Sequence, residues 1–163
     1  MHRSLAEVGI VLELSAIKVD PQKLDKGAWW VVRMEGGHLI GNQVEKPAED
    51  DAALLVIPSG YSYERQLERE AEPHLTKLRR GDLDDADRDA LMSKITGAAV
   101  AKKILRGWQN ISFDGQTPPW SEDKAAEVLA KREWKILLDF VVAASGDRQA
   151  TLAAQEAEAA GNS

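Results

Sequence analysis

The feature that most constrains the fold is a change of hydrophobic period at about residue 58. Upstream, apolar residues alternate with polar ones or run together in short stretches, and downstream they recur every three or four positions. A chain patterned this way builds a small antiparallel sheet first and then packs helices beside it, so the fold class is α+β. Val8, Ile10, Leu12 and Leu14 alternate with other residues, and Ile17 and Val19 close the run before Pro21, which predicts a strand. Trp29-Trp30-Val31-Val32 is aromatic and β-branched, Gly36-Gly37 supplies the positive φ of a tight turn, and His38-Leu39-Ile40 resumes the apolar pattern, which predicts a hairpin. Charge and Pro47 interrupt residues 46–51, and Ala53-Leu54-Leu55-Val56-Ile57 then reads as a buried strand.

The helical part opens with Ser59 or Ser62 as a cap for a helix through Tyr63, Gln66 and Leu67, which Pro73 breaks near Glu72. Residues 74–80 continue the helical texture and Gly81 closes it. Asp82, Asp84 and Asp85 offer caps to the next helix, whose stripe of Leu91, Ile95, Ala98, Leu105 and Trp108 carries it to residue 108. Ser121 caps a short helix over residues 122–131, and Trp134, Leu137, Leu138 and Val141 mark a core-facing helix at the spacing i, i+3, i+4, i+7. The expectation is one domain over residues 1–163, with a β-rich part over 8–58, four to five helices over 59–152, and a frayed Ala-Glu tail over 153–163.

Residues 108–121 form a connection unusually rich in aromatics. Trp108, Phe113 and Trp120 share it with the turn pair Asp114-Gly115 and the stiff pair Pro118-Pro119, so the loop is folded. Its aromatics serve as a corner of the core or as a partner-binding corner. The adjacent Trp29 and Trp30 place one indole on each face of a strand. One belongs to the core, and the other calls for cover from a helix, a second subunit or a partner.

Composition narrows the function. With 163 residues, 44% of them hydrophobic, the chain is long enough for one core. It has no cysteine, which removes disulfides, thiolate nucleophiles and sulfur metal ligands and suits a reducing cytosol. A net charge of -6, with the basic residues interleaved among acids, argues against nucleic acid as a partner. The apolar run 136–144 is much shorter than the roughly 20 residues of a membrane helix, so no membrane role is expected.

No catalytic constellation emerges. His2, His38 and His74 are scattered, and no serine sits in a nucleophile elbow. Gly36, Gly37 and Gly41 lack the lysine and hydroxyl residue of a phosphate loop. Asp85, Asp87 and Asp89 imitate the opening of a calcium loop, but Ala90 stands where glycine is needed and Thr96 where a bidentate glutamate belongs. Glu64, Glu68 and Glu72 share a helix face without any histidine and read as a solvated row. The expectation is a non-enzyme with no metal and no cofactor.

In order and spacing, several of these signals resemble one family. Tyr61-Ser62-Tyr63-Glu64-Arg65-Gln66-Leu67 opens a helix, and Pro73, Lys77, Leu78 and Arg79-Arg80-Gly81 follow. Trp108, Asn110-Ile111, Asp114-Gly115 and Pro118-Pro119-Trp120-Ser121 complete the series. Over about residues 20–144 the chain resembles the tail assembly chaperones of long-tailed bacteriophages. The resemblance implies a non-catalytic factor of virion morphogenesis in the host bacterial cytoplasm. Its partner would be the long helical tape measure protein, with the tail tube protein as a further partner and homo-oligomers as a further state. The alternative is a structural tail or head–tail connector subunit retained in the virion. An acidic protein with aromatic grooves suits the chaperone role, because it covers apolar helical stripes while its charge resists aggregation. The expected partner surface is a groove framed by Trp108, Phe113 and Trp120 against the helix carrying Trp134, Leu137 and Val141, with Trp29 or Trp30 as a second candidate.

Overall fold

A computed structural model describes residues 11–15 and 21–146. The chain forms α1 (Pro21–Lys26), β1 (Ala28–Glu35), β2 (His38–Val44), β3 (Ala53–Val56), α2 (Tyr61–Ala71), a 3-10 turn (Glu72–His74), α3 (Leu75–Arg80) and α4 (Asp85–Lys103). It continues with β4 (Leu105–Gln109), α5 (Glu122–Leu129), a second 3-10 turn (Arg132–Trp134) and α6 (Lys135–Gly146). The four strands make one antiparallel sheet in the order β2-β1-β3-β4. This is the α+β architecture expected from the change of period.

The hairpin forms as its sequence demands. Glu35 pairs with His38 across Gly36 and Gly37, both at positive φ (59° and 79°), which matches the right-handed twist of the flanking strands. Trp30, Leu54 and Trp108 align across three strands on the inner face and form the core with Val32, Val56 and Leu105. Trp29 aligns with Leu55 and Gly107 on the outer face. The two indoles therefore occupy opposite faces, and Trp30 packs edge-on to Phe140 of α6 at 6.0 Å.

Three local readings are corrected. Val11 to Leu14 carry no regular structure, and Val11, Leu12 and Leu14 are 86%, 77% and 53% exposed. With no neighbouring strand among the described residues, alternation alone does not hold a strand. Val8, Ile10, Ile17, Val19 and the tail at 153–163 lie outside the described residues. Neither Ser59 nor Ser62 caps α2, whose N-cap is Gly60; the Ser59 N–H donates instead to Ser145 O (2.9 Å), tying the start of α2 to the end of α6.

The third correction concerns β4. The stripe that assigned Leu105 and Trp108 to a helix is produced by a β-bulge. Trp108 pairs with Leu54 and Gly107 with Leu55, but Val56 pairs with Leu105, so one residue is inserted between. Side chains three apart then face the same side, which strict alternation forbids and a bulge permits. Gly107 suits this strand, because a Cβ there would lie 3.2 Å from the Leu55 side chain.

The remaining helix signals hold. Pro73 sits in the 3-10 turn that interrupts the helix at Glu72, and Gly81 closes α3 at φ 69°. Asp84 caps α4 by accepting from the Asp87 N–H (2.7 Å), and Ser121 caps α5 by accepting from the Lys124 N–H (3.0 Å). Helices α2 and α4 are linked by Lys102, whose ammonium donates to Glu70 at 2.5 Å, while buried Gln66 donates to the same carboxylate at 2.8 Å.

These bonds, Lys102 first, hold the Glu70 carboxyl below its ordinary value of 4.5. A carboxylate depressed by folding stabilises the native state above its unfolded pKa and loses that contribution as pH falls through the folded one. The expected result is a stability difference between wild type and Glu70→Gln that is largest near neutrality, amounts to less than about 1 kcal/mol, and shrinks below pH ~4.5. Urea unfolding at several pH values measures it, and a difference independent of pH would contradict it.

Candidate functional site: an apolar cleft beside an aromatic corner

The connection from β4 to α5 is mostly exposed, and its aromatic side chains anchor it to the core. The Trp108 indole is buried, and its Nε1–H donates to Pro118 O at 2.9 Å. Phe113 lies 5.4 Å from Trp108 and 5.2 Å from Trp134, so three rings lead from the sheet to the start of α6. Phe113 and Gln116 exchange two backbone bonds around the turn at Asp114 (φ 53°) and Gly115 (φ 82°). Trp120 covers the far edge of β4. Its Nε1–H donates to Leu105 O at 3.2 Å, and the Arg106 guanidinium stands 4.9 Å over its ring while also bonding Ala101 O and the Glu122 carboxylate.

A second clasp closes the other end of β4. Asn110, at φ 56°, donates through its amide to Glu49 O and Asp51 O, and the neighbouring Gln109 amide donates to Ala48 O and Asp51 O. Asparagine tolerates this left-handed geometry better than most residues. The clasp fixes residues 48–51 against the sheet.

Between the clasp and α6 lies a cleft of about 340 Å³. Val32, Leu54, Phe113 and Leu137 are buried residues of its lining, and Trp134 is half-buried. Its rim carries Met34 and Ile136, 60% and 50% exposed, with Asn110, Ser112 and Glu133 as the polar lining. A second groove of about 460 Å³ runs between α4 and α6. Its charges already answer one another, Lys135 with Asp139 at 2.7 Å and Arg132 with Asp89 at 3.8 Å. The apolar cleft is the better candidate, because its lining is mostly apolar and leaves few internal partners to displace.

The structure distributes the eight expected partner-surface residues among four places. Phe113, Trp134 and Leu137 line the cleft. Trp30, Trp108 and Val141 are buried in the core, Trp120 belongs to the edge clasp, and Trp29 lies on the outer face of the sheet. Met34 and Ile136 were not singled out in the sequence. Only hairpin register puts Met34 beside Leu39 on the inner face, and only the helix packing leaves Ile136 at the rim.

Among the described residues, no three His, Asp or Glu side chains gather as a metal site requires, and no helix is long and apolar enough to cross a membrane. No curated protein and no solved structure matches the chain. Residues 58–162 match the YdaY prophage protein family, a span that takes in Phe113, Trp134, Ile136 and Leu137 of the cleft and leaves β1, β2 and β3 upstream. The match covers more than half of the chain, which therefore belongs to the YdaY prophage protein family and is a phage-related protein.

Proposed function

We propose that this protein is a non-catalytic chaperone of phage tail assembly that binds apolar helical segments of the tape measure protein in the cleft between β1, β2 and α6. The tail tube protein is a further partner in this reading. The supporting observation is the cleft itself, an apolar trough whose exposed rim is Met34 on one side and Ile136 on the other. A helix presents apolar side chains at i, i+3, i+4 and i+7, and such a row fits a trough. Met34 adds adaptability, since an unbranched thioether moulds to different partners along a repetitive ligand. The -6 charge keeps the loaded complex soluble.

Co-expression with a tagged tape measure fragment tests this. Ile136→Asp should reduce capture at least about tenfold, because a carboxylate in the trough must be desolvated, while its melting curve stays close to wild type. Val142→Asp is the control, a comparably exposed residue of α6 that lines the other groove. It should capture normally. Equal capture by wild type and a folded Ile136→Asp would overturn the reading, and a fixed stoichiometry of the protein in purified particles would favour a structural subunit instead.

A further inference from the structure

The two edges of the sheet are treated differently. The β4 edge is protected by the bulge, by Arg106, and by Trp120, which occupies Leu105 O. The β2 edge has no such device. His38-Leu39-Ile40-Gly41-Asn42-Gln43-Val44 contains no lysine, no acid and no proline, and all seven residues pair with β1 in regular register. No described element hydrogen-bonds its outer side. A long, regular, uncharged edge is a template for another strand, and soluble proteins usually protect such edges.

The same chain carries a segment with strand chemistry, and its described part, residues 11–14, pairs with no strand. Residues 8–14, Val-Gly-Ile-Val-Leu-Glu-Leu, alternate apolar side chains over seven positions without proline, matching the seven residues of β2 in length. In the structure Val11, Leu12 and Leu14 stand largely in water. This arm leads through α1 and Gly27 to the beginning of β1, the end of the hairpin at which Trp29 pairs with Val44. The outer face there is apolar too. Trp29, Val31, Ile40, Val44 and Leu55 are only half-buried and take no part in the core.

We propose that the β2 edge receives residues 8–14 of a second copy of this chain as a fifth strand, giving a two-fold dimer with exchanged arms. Backbone bonds along β2 supply the pairing, and Val8, Ile10, Leu12 and Leu14 extend the apolar row of Ile40 and Val44 on the outer face. Exchange makes the interface isologous, since each copy both gives an arm and receives one. The claim is separate from the cleft, because dimerisation is read without any tape measure protein.

Sedimentation of the full chain should show a concentration-dependent dimer. Leu12→Pro, which removes one N–H and fixes φ in the arm alone, should raise the dimer dissociation constant at least about tenfold while leaving helix content unchanged. The chain has no cysteine, so crosslinking is clean. A mixture of Val11→Cys and Asn42→Cys chains treated with a bismaleimide should yield a product containing one of each. A full chain that stays monomeric at all concentrations would overturn the proposal, and so would a dimer untouched by Leu12→Pro, which means pairing through β2 itself. A doubly substituted chain that links only within itself would also overturn it, by showing that the arm docks on its own chain.

Discussion

Replacing Trp108 by alanine should destabilise the protein by about 3–5 kcal/mol, the range for removing a buried tryptophan. The indole is 7% exposed, lies on the inner face of the sheet opposite Leu54 of β3 and touches Phe113, which in turn supports Trp134. Deleting it leaves a cavity at the junction of strand, loop and α6 and frees Pro118 O from its donor. Trp108→Phe keeps an aromatic ring but loses the indole N–H and part of the bicyclic volume, so its cost should be nearer 1–2 kcal/mol. Urea unfolding of both variants compares losing the whole ring with losing part of it and its hydrogen bond. An alanine variant no less stable than the phenylalanine one would mean that the corner does not belong to the core.

Gly97→Ala should be nearly as damaging, about 3 kcal/mol, although it adds a single methyl group to a helix interior. Alanine is normally the better helix former by roughly 1 kcal/mol. Here a Cβ would stand 2.6 Å from Leu129 O and 2.7 Å from Leu129 C, both backbone atoms of α5, so no side chain can rotate away. Helices α4 and α5 must separate or α5 must fray at its end, the kind of overpacking that costs about 1–3 kcal/mol and occasionally more. For a chain of this size such a loss lowers the melting temperature by roughly 10 °C. Gly146→Ala, where a Cβ meets nothing within 4 Å, should be neutral or slightly stabilising. If Gly97→Ala melts with wild type, the close approach of α4 and α5 is not real.

These two residues illustrate what was legible in the sequence. The three strands before residue 58 and the helices after it followed from hydrophobic period, and local chemistry located the glycine turn of the hairpin, the Asp84 and Ser121 caps and the break at Pro73. Trp108 was visible as important but sat in the wrong element, because a bulge gave strand residues the three-residue spacing of a helix. Gly97 was silent, since a glycine inside a helical pattern says nothing of which backbone will approach it. The cleft was half legible. Phe113, Trp134 and Leu137 stand out as large apolar residues near a turn, whereas Met34 and Ile136 acquire meaning only from pairing register and helix packing. Exposure divided the tryptophans in a way that residue type could not. Trp29 and Trp30 differ only in the face of β1 that they occupy, and Trp120 contributes its indole N–H to an edge that no pattern foretold.

The central claim is that the cleft receives an apolar helix of the tape measure protein. Backbone amide resonances of the free protein, followed during titration with a tape measure peptide of helical apolar period, test it most directly. The account predicts the largest shifts at Met34, Leu39, Phe113, Trp134 and Ile136, with little change at Asp89 and Val142 on the other side of α6. Shifts concentrated in the α4–α6 groove, or no shifts at saturating peptide, would contradict it.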